Sequence, residues 1–311
     1  MRCRERPVGV RAQRIPGVGP GEVVAHDLAG VAEIEVMADG EPQRKLRRGR
    51  VSWPPFMPRL SVVTPTFNSA AYLAATLESV AAIASSHEHL LIDGGSTDGT
   101  VDLLRAREDH GVQWVSEQDR GQTHAVNKGL QRARGDILAW INGDDEVVPD
   151  AIDRAVEHFD AHPGCDVVYA GIDFIGPEGA TRREYRPRSW SWHRYLLLGD
   201  YVPTPAILFR RSRYEAVGPL DERWVDAADY DFYLRLMHGA RVDRLPGAHV
   251  RFRYHDASKT ATNVWRQQDE ALQIRLGWSR TWRDRAVMEG FDRLKRLALP
   301  ALTRGRWPAP Y

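Results

Sequence analysis

With 311 residues, 42% of them hydrophobic and 27% charged, the chain can form one large globular domain or two smaller ones with a substantial core. A formal net charge of +1 gives no ground for nucleic-acid binding, and two cysteines, Cys3 and Cys165, are too few for a disulfide framework or a zinc site. No apolar run reaches the roughly eighteen residues of a membrane span, and the basic start MRCRERPVGVRAQR leads into no apolar segment, so a cytoplasmic protein is expected.

Residues 1–57 are rich in Arg, Gly and Pro, lack sustained periodicity and end in VSWPPFMP, so they are expected to be a weakly ordered extension. Met57 is a candidate true start, which peptides upstream of it in the native protein would rule out. From Leu60 the pattern becomes regular. LSVVTPT is an apolar, β-branched strand, and NSAAYLAATLESVAAIA a helix with Asn68 or Ser69 as its cap. HEHLLID predicts a second strand, GGSTDGT a turn and TVDLLRARED a helix, a β-α-β unit whose strands should be parallel. VQWVSE and THAVNKGLQRARG repeat the strand and helix, and Gly135 closes the latter. A buried strand from Asp136 to Asn142 then runs directly into Gly143, Asp144 and Asp145.

A helix from about Pro149 to His162 and a strand CDVVYAG complete an alternation that argues for a doubly wound, mostly parallel α/β sheet. Beyond Gly171, IDFIGPEGATRREYRP is expected to be a hairpin-like excursion, SWSWHRYLLLGD a short amphipathic helix and PAILFRRSRYEAVG a strand with a turn of helix. This is the smaller subregion where an acceptor would be read. DYDFYLRLMHG predicts a helix ended by Gly239, ARVDRLPG and HVRFRYH two strands, and the residues from Lys259 onward long helices rich in Arg and Trp.

In an open α/β sheet, ligands bind beyond the carboxyl ends of the strands. Two adjacent carboxylates leaving a buried strand there suit a divalent cation carrying phosphates, although for such a pair taken alone a turn is the simpler reading. In IDGGSTDGT, Asp93 ends a strand, and the glycines allow close backbone approach, with Ser96 and Asp98 beside them. Neither GxGxxG after the first strand nor a GKS or GKT loop is present, so hydride transfer and P-loop hydrolysis lose support.

Taken together, VVTPTFN, IDGGSTDGT, EQDRGQTHAVNKG, INGDDE, DYDFYLRL and FRYHDASKT, in that order from about Leu60 to Lys259, resemble the family 2 inverting glycosyltransferases of GT-A fold. The resemblance implies a GT-A domain over residues 58–262 and leaves 263–311 as a helical tail. It implies that Thr64, Pro65, Phe67, Asn68, Asp93 and Asp98, with Ser96, hold the donor's base and ribose. Arg120, Gln122 and Asn127 are further candidates for the donor site. Asp145 would be the more direct ligand of Mg²⁺ or Mn²⁺, with Asp144 serving ribose or metal, His255 near the metal and Lys259 near the diphosphate.

Transfer from a nucleoside diphosphate sugar needs charge neutralisation on the leaving diphosphate, and inversion needs a separate general base for the acceptor hydroxyl. Asp229 is the candidate base. The family's usual Glu-Asp pair is here Ala228-Asp229, which keeps Asp231 as an alternative. The expected donor is a UDP-sugar, with dTDP and GDP open, and the expected acceptor a glycan or lipid-linked glycan in surface polysaccharide or glycolipid synthesis. The stretch from Trp265 to Trp307 reads either as a packed helical tail or as a face for peripheral contact with an acidic membrane. Two rivals stand: a sugar-nucleotide pyrophosphorylase, whose Gly-rich basic loop VVTPTFNS lacks, and a non-catalytic nucleotide-sugar-binding protein.

Overall fold

The computed structural model describes residues 58–107, 112–199, 201–255 and 263–302. Lys259 and the extension before Pro58 lie outside them. Strand β1 (Leu60–Thr66) is followed by α1 (Leu73–Ala81), β2 (His87–Asp93), α2 (Thr100–Arg105), β3 (Val112–Ser116), α3 (Gln122–Arg132) and β4 (Ile137–Trp140). As the β-α-β pattern requires, β1 pairs in parallel with β2 and with β4, and β2 with β3. The chain continues through β5 (Glu146–Val147), α4 (Pro149–Ala161), β6 (Val167–Ile175), β7 (Thr181–Tyr185) and α5 (Trp192–Leu198). A turn of 3₁₀-helix (Thr204–Ala206) leads into β8 (Ile207–Arg210), α6 (Arg211–Val217), α7 (Ala228–Met237), β9 (Val242–Arg253), α8 (Val264–Trp278) and α9 (Trp282–Leu302).

One nine-stranded sheet results, in the order β3-β2-β1-β4-β8-β6-β9-β5, with β7 also on β6. Strands β8, β7 and β5 run against their neighbours, and the other strands share one direction, so the sheet is mostly parallel. Alternation along each strand divides the core between the sheet's two faces. Ile137 and Ala139 pack with Leu60, Val62 and the Phe159 face of α4. Leu138 and Trp140 pack with Val63, α3 and Phe232 and Tyr233 of α7. Helix α3 sits close to the sheet because Gly129 has no side chain: a Cβ there would come 2.3 Å from Val63 Cγ1.

The structure alters several sequence expectations. Strand β6 runs straight through the boundary placed at Gly171, and the two strands expected around Pro246 and Gly247 are the single strand β9. Register shifts opposite Gly171, together with a positive φ of 81° at Gly247, absorb the residues that look like a break. Helix α1 begins at Leu73 rather than after Asn68 or Ser69 and carries no side-chain cap. Helices α8 and α9 pack onto the sheet domain, since Ile274 of α8 and Met288 of α9 are buried in the same cluster as α7. Cys165 lies within 4.8 Å of donor atoms on His158 and Asp243. Burial pushes its thiol up to about 11, and the thiol donates to Val167 O at 3.3 Å.

Candidate active site

The carboxyl ends of β1 and β4, the β3–α3 loop, the start of α7 and the inner faces of α8 and α9 enclose a cavity of about 720 Å³. Its position beyond the strand ends is where an open α/β sheet places ligands. Of the residues expected from the sequence, Pro65, Phe67, Arg120, Gln122, Asp144 and Asp229 line it. Phe67 presents its ring there, 63% exposed.

Four other candidates build one wall rather than facing the space. Asp93 is fully buried and accepts hydrogen bonds from Gly95 N at 3.1 Å, Ser96 N at 3.0 Å and Ser116 Oγ at 2.6 Å, and also from Ser96 Oγ. Asn68, at a φ of +50°, donates from its backbone to Ser96 Oγ at 2.7 Å and accepts from Thr97 N at 2.9 Å. Asp98 accepts from Ala70 N at 3.0 Å and from Thr100, and these bonds outweigh its burial and hold its carboxyl below the usual range. The loops after β1 and β2 are thereby tied together. Gly94 lets the Asp119 carboxylate lie close against this wall, since a Cβ there would come 2.8 Å from Asp119 Oδ2.

Two expected donor-site residues point into the protein. Thr64 is buried, its hydroxyl 2.9 Å from His89 Nε2, and burial lowers that imidazole to about 3. The Asn127 amide spans Leu220, donating to its carbonyl at 3.0 Å and accepting from its N–H at 2.9 Å. It fixes the loop before α7 from the interior.

At the end of β4 the two carboxylates take different places. Asp145 has no exposed surface; its oxygens accept from Arg253 N at 2.9 Å and Asn142 Nδ2 at 3.1 Å, and burial, then the Asp144 charge, raises its pKa. Asp144 is the carboxylate facing the cavity, with His255 Nε2 3.1 Å from its Oδ2. The His255 ring rests against Tyr72 at 4.8 Å between centroids. Arg253 props this corner from behind, donating to Asp144 O at 3.0 Å and pairing with Glu146. The Asp144 carboxylate on the cavity wall, with the His255 imidazole beside it, is a donor set that Mn²⁺ or Mg²⁺ accepts, the remaining positions going to phosphate oxygens and water. The residues present therefore fit a divalent cation.

Across the cavity, Asp229 stands in the first turn of α7 and accepts from Thr204 Oγ1 at 2.9 Å. Asp231 points elsewhere and pairs with Arg235 at 2.9 Å, so only Asp229 of the two lines the cavity. A carboxylate apart from the Asp144 corner is what a general base for an incoming hydroxyl requires.

Several residues of the site carry no signal in the sequence. The Asn142 side chain accepts from Gln122 Nε2 at 2.9 Å and Trp140 Nε1 at 3.0 Å, locking the β4 exit to α3. Arg266, Arg275 and Lys295 reach the cavity from α8 and α9. Arg266 pairs with the buried Asp226, and Arg275, itself 1% exposed, lies 3.6 Å from Asp292. One carboxylate oxygen of Glu270 accepts from three successive backbone N–H groups, Val225 at 3.0 Å, Asp226 at 2.8 Å and Ala227 at 2.9 Å, just before α7. The helical periodicity of α8 identifies a helix there, but not which of its polar residues turn inward.

The description "Glycosyl transferase family 2" matches residues 61–214. An uncharacterized glycosyltransferase of Mycobacterium tuberculosis is 33% identical over 183 residues, covering 57% of this chain and 68% of that one. A PGL/p-HBAD biosynthesis glycosyltransferase of the same organism is 29% identical over 188 residues, covering 57% and 69%. Among solved structures, S. aureus TarS 1-349 in complex with UDP-GlcNAc superposes with a TM-score of 0.59 at 18% identity, over 79% of this chain and 74% of that one. The mannosyltransferase PcManGT of Pyrobaculum calidifontis, in complex with GDP-Man and Mn²⁺, gives 0.55 at 19% identity, over 82% and 78%. These neighbours share the GT-A fold. The order of the motifs, the cavity at the strand ends and these likenesses agree: the chain belongs to glycosyl transferase family 2 and is a glycosyltransferase.

Proposed function

We propose that this chain moves a sugar from a nucleoside diphosphate donor to a hydroxyl acceptor with inversion at the anomeric carbon. The carrying observation is that Asp144 and Asp229, far apart in sequence, open on the same cavity from different walls. Phe67 and Pro65, backed by the wall that Asn68, Ser96 and Asp98 tie together, would receive the nucleoside. Asp144 and His255 would hold a divalent cation, which when bound supplies Lewis-acid neutralisation of the leaving diphosphate. Asp229, oriented by Thr204, takes the proton of the acceptor hydroxyl as its oxygen attacks the face opposite the leaving group.

A UDP-sugar remains the first choice of donor, in keeping with the UDP-GlcNAc complex of TarS, and a GDP-sugar the second, in keeping with the GDP-Man complex of PcManGT. The acceptor is a surface glycan or glycolipid, and the relative named for PGL/p-HBAD biosynthesis is likewise a glycosyltransferase of a biosynthetic route. A thermal-shift screen of UDP-, dTDP- and GDP-sugars with and without Mn²⁺ tests the reading, since a ligand of the native state raises its melting point by mass action. Stabilisation that needs both nucleotide and Mn²⁺ supports it, and no stabilisation by any nucleotide overturns it.

A further inference from the structure

We infer that the outer face of α9 docks this protein on a membrane surface carrying anionic lipid. The inner side of the helix is already occupied, since Met288 is fully buried in the core, Asp292 faces Arg275, and Lys295 lines the cavity. The outer side is apolar and open. Trp282 is 74% exposed, Val287 50%, Leu294 64% and Leu297 77%. At 3.6 residues per turn these four, with exposed Ala286, fall within one arc of roughly 140°. A folded chain does not ordinarily leave such a stripe in water without a partner.

The charges on the arc select the partner. Arg283 and Arg293 lie within it, both exposed, and no carboxylate does; the nearest acid, Glu289, stands at its border. Apolar side chains interleaved with arginine match a lipid headgroup layer of negative charge. A second copy of the chain fits less well, because a twofold contact through this face would set the same arginines against each other with no carboxylate in the arc to pair them. No helix among the described residues is long and apolar enough to cross a membrane, so α9 would lie in the interfacial plane. Through Lys295, on its inner side, the same helix borders the cavity, so the site stands about one helix diameter, roughly 10 Å, from the docked face. On the transferase reading above, that placement makes the acceptor lipid-linked; the docking itself does not depend on that reading.

The test is sedimentation of the full chain with vesicles of phosphatidylcholine alone or mixed with phosphatidylglycerol, at low and high salt. The wild type is expected to pellet with the mixed vesicles, less so in high salt, and not with phosphatidylcholine alone. Replacing two of the apolar side chains, Leu294→Glu with Leu297→Glu, is expected to weaken binding by at least about tenfold, and Arg283→Glu with Arg293→Glu to remove its salt dependence. Unchanged melting and UDP binding of the variants show that the fold and the donor site persist. A wild type that ignores anionic vesicles, a leucine double variant that pellets as before, or a solution dimer abolished by that variant each overturns the inference.

Discussion

Glu270 offers the sharpest test of how the site is held. It does not line the cavity, yet one of its oxygens gathers the N–H groups of Val225, Asp226 and Ala227, immediately before the helix that carries Asp229. Glu270→Ala strands these donors, and two of them belong to residues that are buried. Val225 is 49% exposed and can turn to water, so the cost falls chiefly on Asp226 and Ala227 and should be about 3 kcal/mol. The functional consequence follows from position. A base displaced by about 1 Å loses on the order of a hundredfold in rate, whereas the donor pocket around Phe67 and Asp144 is untouched. The assay is nucleotide release from the donor that stabilises the protein most, measured with melting temperature and UDP affinity. Expected for Glu270→Ala are a fall in kcat of that order, an unchanged KM for donor, and partial rescue by Glu270→Gln, which keeps an acceptor oxygen. A variant that melts lower but turns over at the wild-type rate would refute the link between this contact and Asp229.

Asp229→Asn should lower kcat by about 10²- to 10⁴-fold while leaving nucleotide and Mn²⁺ binding intact, and Asp231→Asn should cost only the stability of its pair with Arg235; equal activity of Asp229→Asn and wild type would refute Asp229 as the base. His89 and His249 are held neutral by burial, lowered to about 3 and about 4, so the unfolded chain binds their protons first as the pH falls. Stability from each is full above pH 6.5 and is lost toward the folded value, about 2 kcal/mol apiece at pH 5; denaturant unfolding at pH 7 and pH 5 should show His89→Gln removing one such share. Gly129→Ala should destabilise the fold by about 1–3 kcal/mol in the same assay, because its methyl would overlap Val63.

The sheet and the loops at its strand ends were largely legible in the chain because their signals are local. Apolar alternation marks β1, β2 and β4, and Gly, Ser and Asp cluster where the strands end. What escaped was long-range. Nothing near Glu270, Arg266 or Arg275 tells that helices beyond residue 263 return to close the cavity. That Asp145 is buried while Asp144 lines the cavity depends in part on a backbone N–H of Arg253, more than a hundred positions later, which bonds Asp145. Asn127 has the polarity of a ligand contact but spends both halves of its amide on Leu220. The sequence around Pro246 and Gly247 looks like a turn, yet pairing along β6 carries β9 past it.

The central claim is that Asp144, with His255, holds a cation against the donor's diphosphate in the cavity that Asp229 borders. Calorimetric titration of UDP into the wild type and Asp144→Asn, each with and without Mn²⁺, measures this most directly. The expected result is affinity that rises with Mn²⁺ in the wild type and is indifferent to it in the variant. Equal Mn²⁺ dependence in both proteins would contradict the assignment.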